Sequence, residues 1–219
     1  MLFAGPQKPS TISKWAELAQ PGTIGLTAPF SLTHRKAPTT PKPWQHDATT
    51  GDFRTGPLAR EVIAPLRAAV DQLSARCVVF RSPENFSPSA ANRDQLKAFF
   101  GELATEEAIG TQRVWVPGGL WEPRTAVKLA GELGVTCAID PLVHEPGETV
   151  DPYVDLEADS LYFRLEGAGR AGMIRNERLE DLAELLAGYL EEDLEITIAF
   201  ASPERWQDAR NFVKLLNGQ

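Results

Sequence analysis

The stretch from Arg113 to Asp140, RVWVPGGLWEPRTAVKLAGELGVTCAID, constrains the fold of this chain more than any other. It holds two short β-forming runs with one amphipathic segment between them. Val114 to Val116 are bounded by Pro117 and the Gly118-Gly119 pair. Pro123 stands where a helix's first turn tolerates proline, and Val127, Ala130 and Leu133 recur at helical spacing. Gly134 stops that helix. Val135 to Ile139 then run apolar without a break, as a strand buried on both faces does. The order strand, helix, strand is one βαβ unit.

The same rhythm recurs along the chain. Leu2–Ala4 (very short), Ile24–Ala28, Cys77–Phe80, Leu161–Leu165 and Ile196–Phe200 read as further strands, giving seven candidates with the two above. Between them lie helical stripes. Ile12, Trp15, Ala16 and Ala19 follow a cap at Ser10 or Thr11. Val62, Leu66, Ala69, Val70 and Leu73 follow, with Pro65 in the first turn or at a kink. Leu96, Phe99, Phe100 and Leu103 come behind a capping-box-like start at Asn92 and Gln95. Leu179, Leu182, Leu186 and Tyr189 follow Asn176, and Ala209, Phe212, Val213 and Leu216 follow Ser202-Pro203. Alternation of this kind predicts an α/β protein with a parallel sheet and right-handed crossovers. Two closures fit, a (β/α) barrel and an open doubly wound sheet. No Gly-x-Gly-x-x-Gly follows any strand and no Walker-type loop is present, so the dinucleotide-binding version lacks its fingerprint.

Residues 36–57 are the least regular part, broken by Pro38, Pro41, Pro43 and Pro57. They carry Trp44, His46, Asp52 and Arg54, and read either as a solvated excursion with one aromatic anchor or as a lid over a pocket. Residues 141–159 are irregular and acidic, and contain His144. With 219 residues and 42% hydrophobic content the chain can form one large domain over 1–219. A net charge of −8 and a pI of about 5.0 argue against nucleic acid as partner, because phosphate binding needs a basic stripe. The first residues show no basic region followed by an apolar stretch, and no window reaches the length of a membrane span. A cytoplasmic protein with no membrane partner is expected. Cys77 and Cys137 each fall inside a strand and read as buried apolar residues in a reducing compartment.

Several strand ends resemble, in order and over essentially the whole chain, those of the YecE-like TIM barrels, the family called domain of unknown function 72. KWAELAQPGTIGLTAPFSLTHR resembles the family's helix, strand and Thr-His pair, here Thr33-His34. VVFRSPENF resembles its Phe-Gln-Leu-Pro strand end, and VWVPGGLW keeps the later tryptophan as Trp121. VTCAID keeps Asp140. LYFRLEG resembles Arg-x-His-Gly, with Arg164 and Gly167 kept, and IAFASPERWQDARNF keeps Phe200 and Asn211. The family's strand lysine, glutamine, glutamate, arginine and histidine appear here as Thr27, Arg81, Trp115, Pro117 and Glu166, and its asparagine pair as Ala201 and Ser202. Its opening Gly-Thr-Ser-Gly-Trp strand has no counterpart. The resemblance therefore implies an incomplete TIM (β/α) barrel of about seven strands whose polar strand ends have largely changed. The family's activity is uncharacterised.

In such a barrel the reactive groups stand at the C-terminal ends of the strands. That selects Asp140, Glu166 and His34 as acid–base candidates, and Arg164, Arg81 and Trp121 as ligand-binding candidates, to which the resemblance adds Asn211 on the last helix. Arg164 sits between Phe163 and Leu165. Desolvating its guanidinium is costly without a carboxylate or a ligand, so it reads as an internal ion pair with Asp140 or Glu166, as an anion-binding group, or as both. Asp140 reads equally as the cap of an Asp-Pro turn. His34 reads as a general base or anion contact, or as a structural histidine. No close-spaced ligand motif suggests a metal, and no cofactor is implied. The function expected is a small anionic-metabolite site at the strand ends. The alternative is a catalytically degenerate barrel kept for binding or structure. An incomplete barrel exposes sheet edges, which the N-terminal segment, the 36–57 loop or a homodimer partner is expected to cover.

Overall fold

The computed structural model describes residues 5, 7–36, 47–143, 160–167, 172–189 and 194–218, and in it the apolar runs are strands and the striped segments are helices. Two compact units are formed, Met1–Thr136 and Cys137–Gln219. The described residues contain six strands, not the seven expected. The remaining candidate, Leu2–Ala4, lies outside them.

The first unit carries α1 (Pro9–Leu18), β1 (Gly25–Thr27), α2 (Phe30–Thr33), α3 (Pro57–Leu73), β2 (Cys77–Arg81), α4 (Ala90–Ala98), α5 (Glu106–Ile109), β3 (Gln112–Val116) and α6 (Pro123–Glu132). The strands pair in parallel in the order β1-β2-β3, with Leu26 opposite Val78 and Val79 opposite Val114. Helix α6 starts as the sequence predicts: Glu122 caps it, accepting the Arg124 and Thr125 N–H groups at 2.9 and 2.7 Å, with Pro123 next. Helix α4 starts earlier than expected, because the Ser89 hydroxyl accepts the Asn92 N–H at 3.2 Å. Asn92 and Gln95 are therefore inside the helix. Helix α3 takes Pro57 at its first position, which leaves Pro65 well inside it. A π-helical turn, Phe99–Leu103, continues α4 and turns both phenylalanines inward. Phe80, Phe99 and Phe100 meet edge to face, with centroids 5.1–5.6 Å apart.

The second unit carries most of β4 (Thr136–Ile139), then β5 (Ser160–Leu165), α7 (Asn176–Tyr189), β6 (Glu195–Phe200) and α8 (Arg205–Leu216). The strands are again parallel, in the order β4-β5-β6. Ala138 lies opposite Tyr162, and Arg164 lies opposite Ala199. The Phe200 ring sits 5.9 Å from that of Phe212 in α8. Side chains alternate along a strand, so Ile196, Ile198 and Phe200 face the helices, and by register so do Leu161, Phe163 and Leu165. Ala138, Tyr162, Arg164, Thr197 and Ala199 occupy the opposite face. Helix α8 begins at Arg205, not at Ser202-Pro203, since the Ser202 hydroxyl is turned to the Asp208 carboxylate at 2.5 Å. Among the described residues no helix is long and apolar enough to cross a membrane.

Candidate functional site

In the second unit, three of the residues singled out in the sequence meet at the C-terminal ends of β4 and β5. Asp140 follows β4 directly. One carboxylate oxygen accepts the Leu142 N–H at 3.0 Å, which is the turn cap expected of Asp-Pro. The other accepts the Glu166 N–H at 3.0 Å and so ties the two strand ends together. Arg164 Nε donates to Glu166 Oε1 at 3.1 Å. The ion pair foreseen for Arg164 is thus made with Glu166, while Asp140 holds Glu166 through its backbone. Burial raises the Asp140 carboxyl above the ordinary aspartate range. The two N–H bonds and the Arg178 charge work against that rise, and the Glu166 charge adds to it.

A second strand arginine shows what a satisfied guanidinium looks like here. Arg113 in β3 is buried, and donates to the carbonyls of Phe100, Ala104 and Gly134 at 3.1, 3.0 and 2.8 Å. Burial holds its pKa below the usual arginine value. Arg164 is also mostly buried, its side chain 19% exposed, but among the described residues it bonds Glu166 alone, through Nε. Glu166 itself is 57% exposed. Among the described residues, the two terminal amino groups of Arg164 have no hydrogen-bond acceptor, in contrast to those of Arg113.

In the first unit, His34 ends α2 just beyond β1, and Arg81 ends β2. His34 Nδ1 lies 2.7 Å from the Thr33 hydroxyl. Its pKa is lowered by burial and by the Arg81 charge, against the pull of Asp52. In the described second half of the 36–57 segment, residues 47–56, the stretch 50–53 is buried and packs against α2. Gly51, Asp52 and Phe53 donate their N–H groups to the Ser31, Thr33 and Leu32 carbonyls at 2.9, 3.1 and 3.0 Å. Asp52 also pairs with Arg35. Gly51 is in the left-handed region at φ 77°, and a Cβ there would lie 2.3 Å from the His34 carbonyl carbon. Only glycine lets the segment come this close. Trp44, His46 and His144 lie outside the described residues.

Trp121 and Asn211 both make contacts within the protein. The Trp121 indole donates to the Phe86 carbonyl at 2.7 Å, meets Trp115 edge-on at 5.0 Å and carries the Arg93 guanidinium 5.7 Å from its ring centre. Asn211 accepts from Gln207 one turn back on α8 at 2.8 Å. Gly118 is where two loops come close: a Cβ on it would lie 2.8 Å from the Ser82 carbonyl oxygen. Sequence reasoning missed two groups. Arg113 carried the same signal as Arg164, an arginine in an apolar run. Asp208, fully buried against Ser202, had no signal, since its position on the helix wheel is shared with ordinary polar residues.

No family model and no curated protein matches the sequence. Solved structures do. A DUF72 family protein of Thermotoga maritima superposes with a TM-score of 0.58 at 16% identity, over 88% of this chain and 73% of its own. A DUF72 family protein of Enterococcus faecalis superposes in two crystal structures with TM-scores of 0.63 and 0.65 at 13% identity, over 99% of this chain and 87% and 81% of its own. The fold is that of the DUF72 proteins. At these identities the DUF72 likeness speaks for the fold alone, and it agrees with the resemblance carried by the strand ends.

Proposed function

We propose that this protein, on the incomplete (β/α) barrel scaffold that its resemblance implies, binds a small anionic metabolite on Arg164. The observation that carries this reading is the contrast between the two strand arginines. Arg113 spends its donors on three carbonyls. Arg164 makes one described bond, to an exposed carboxylate. A planar guanidinium with two unengaged amino groups suits the two oxygens of a phosphate or carboxylate. Asp140, its carboxyl raised by burial, is the acid–base group of this reading, and Glu166 positions the guanidinium.

The test is a thermal-shift screen of phosphate monoesters and small carboxylates, followed by titration calorimetry. A ligand at 100 times its Kd stabilises by about 2.7 kcal/mol, a shift easily read. Arg164→Ala removes the shift while the circular dichroism spectrum is kept. Asp140→Asn keeps binding and removes any turnover. A panel without one stabilising compound, or a shift that survives Arg164→Ala, overturns the reading. One observation favours the alternative of a barrel kept for binding or structure without chemistry: Trp115, standing where the family has a polar strand-end residue, is fully buried and bonded to Ser82 at 2.8 Å. Under that reading Asp140→Asn changes nothing measurable in solution with the ligand.

A further inference from the structure

Among the described strands β6 is an edge, pairing with β5 alone. The Ala201 N–H donates to the Leu165 carbonyl at 2.8 Å, so odd-numbered residues of β6 turn their backbone groups to β5. Ile196, Ile198 and Phe200 therefore each point an N–H and a C=O away from it. Natural edges are blunted by lysine, proline, a bulge or shortness. Residues 195–200, EITIAF, have none of these, and Ile196 to Phe200 are all half-buried. Helix α8, which packs on β6, carries an exposed apolar row. Trp206, Val213 and Leu216 are 72%, 55% and 57% exposed. At about 100° per residue these three fall on one flank of the helix, which packs on β6 and α7.

We infer that β6 and this flank of α8 form a two-fold interface with a second copy of the chain, the two β6 strands pairing antiparallel about Ile198. That register sets Ile196 opposite Phe200 of the second copy and joins all the outward groups in reciprocal pairs. Charge selects the second copy and its direction. Glu195, at the start of the strand, is exposed and acidic; Arg205, just past its end, is exposed and basic. Antiparallel pairing brings Glu195 of each copy toward Arg205 of the other, whereas parallel pairing would set like beside like. The inference is independent of the Arg164 site.

Sedimentation velocity on the intact protein across a range of concentrations tests it. A dimer is expected. Trp206→Glu weakens it about tenfold or more, as loss of an aromatic anchor does, with an unchanged circular dichroism spectrum. Glu195→Arg weakens it as well, and Glu195→Arg combined with Arg205→Glu restores it. A strict monomer at about 100 μM, a concentration at which even weak specific pairs form, overturns the inference. So does a dimer that ignores both Trp206→Glu and the charge swap, since another surface then makes it.

Discussion

Replacing Phe53 by alanine tests whether residues 47–56 are a clamp or a lid. Phe53 is fully buried, and its ring lies 5.1, 5.3 and 6.0 Å from those of Phe86, Phe99 and Phe100. Truncating a buried phenylalanine removes its transfer energy and leaves a cavity, together about 3–5 kcal/mol. The lost ring pairs lie within that figure. Phe53 is also held at φ 58°, in the left-handed region. Alanine bears the same backbone cost, so the substitution brings no relief from strain. A loss of about 4 kcal/mol is therefore expected, against a typical total of about 5–15 kcal/mol. Urea unfolding followed by circular dichroism and tryptophan fluorescence measures it. A loss below about 1 kcal/mol would mean that the segment opens freely, and the clamp argument fails. Gly51→Ala reports on the same contact from the backbone. Its Cβ meets the His34 main chain, which cannot yield as a side-chain tip would, so stability falls and the His34 titration moves.

Two titrations have opposite signs. The His34 pKa is depressed below 6.5, so its contribution to stability is complete above about pH 6.5 and is lost as the pH falls toward the folded value. The Asp140 pKa is raised above 3.8, so its contribution is complete below pH 3.8 and is lost as the pH rises through the folded value. Carbon-detected NMR of the Asp140 carboxyl gives a midpoint above 3.8, and a midpoint at or below 3.8 refutes the assignment of burial as the dominant cause. Burial pushes the Cys77 thiol up to about 11 and the Cys137 thiol further still. An aromatic disulfide reagent at pH 8 leaves the native protein unreacted and reports both thiols after denaturation; rapid native reaction would show that the strands open.

The βαβ rhythm was legible because its signals are local. Pro123 with Gly134 brackets α6, and the run from Cys77 to Phe80 admits little but a buried strand. Helices α2 and α5, with four residues each, are too short to show a stripe. The cap of α4 was misplaced by three residues because Ser89 and Asn92 are both good caps. Only the geometry shows that the serine oxygen faces the Asn92 amide. The tightness of 47–56 was illegible for a different reason. It depends on a glycine whose neighbour, His34, is far away in sequence, and on two consecutive non-glycine residues in the left-handed region, Asp52 and Phe53.

Arg113 and Arg164 show where sequence reasoning about the site reaches its end. Both stand in apolar strands, and both raise the same demand for a partner. For Arg113 the demand is met by three carbonyls from two segments, the Gly134 turn and the π-helical turn that leaves the Phe100 and Ala104 oxygens within reach. An α-helix would have used the Phe100 oxygen on its own next turn. For Arg164 the strand ends at Leu165, and the next side chain, Glu166, has room for one bond from Nε. A guanidinium half-served in this way is costly unless a further acceptor arrives, since its remaining N–H groups stay poorly hydrated. The difference between a fully served arginine and a half-served one, which the proposed function reads as a binding group, is thus a difference in what the neighbouring backbone offers, and the pattern of the strand residues carries no record of it.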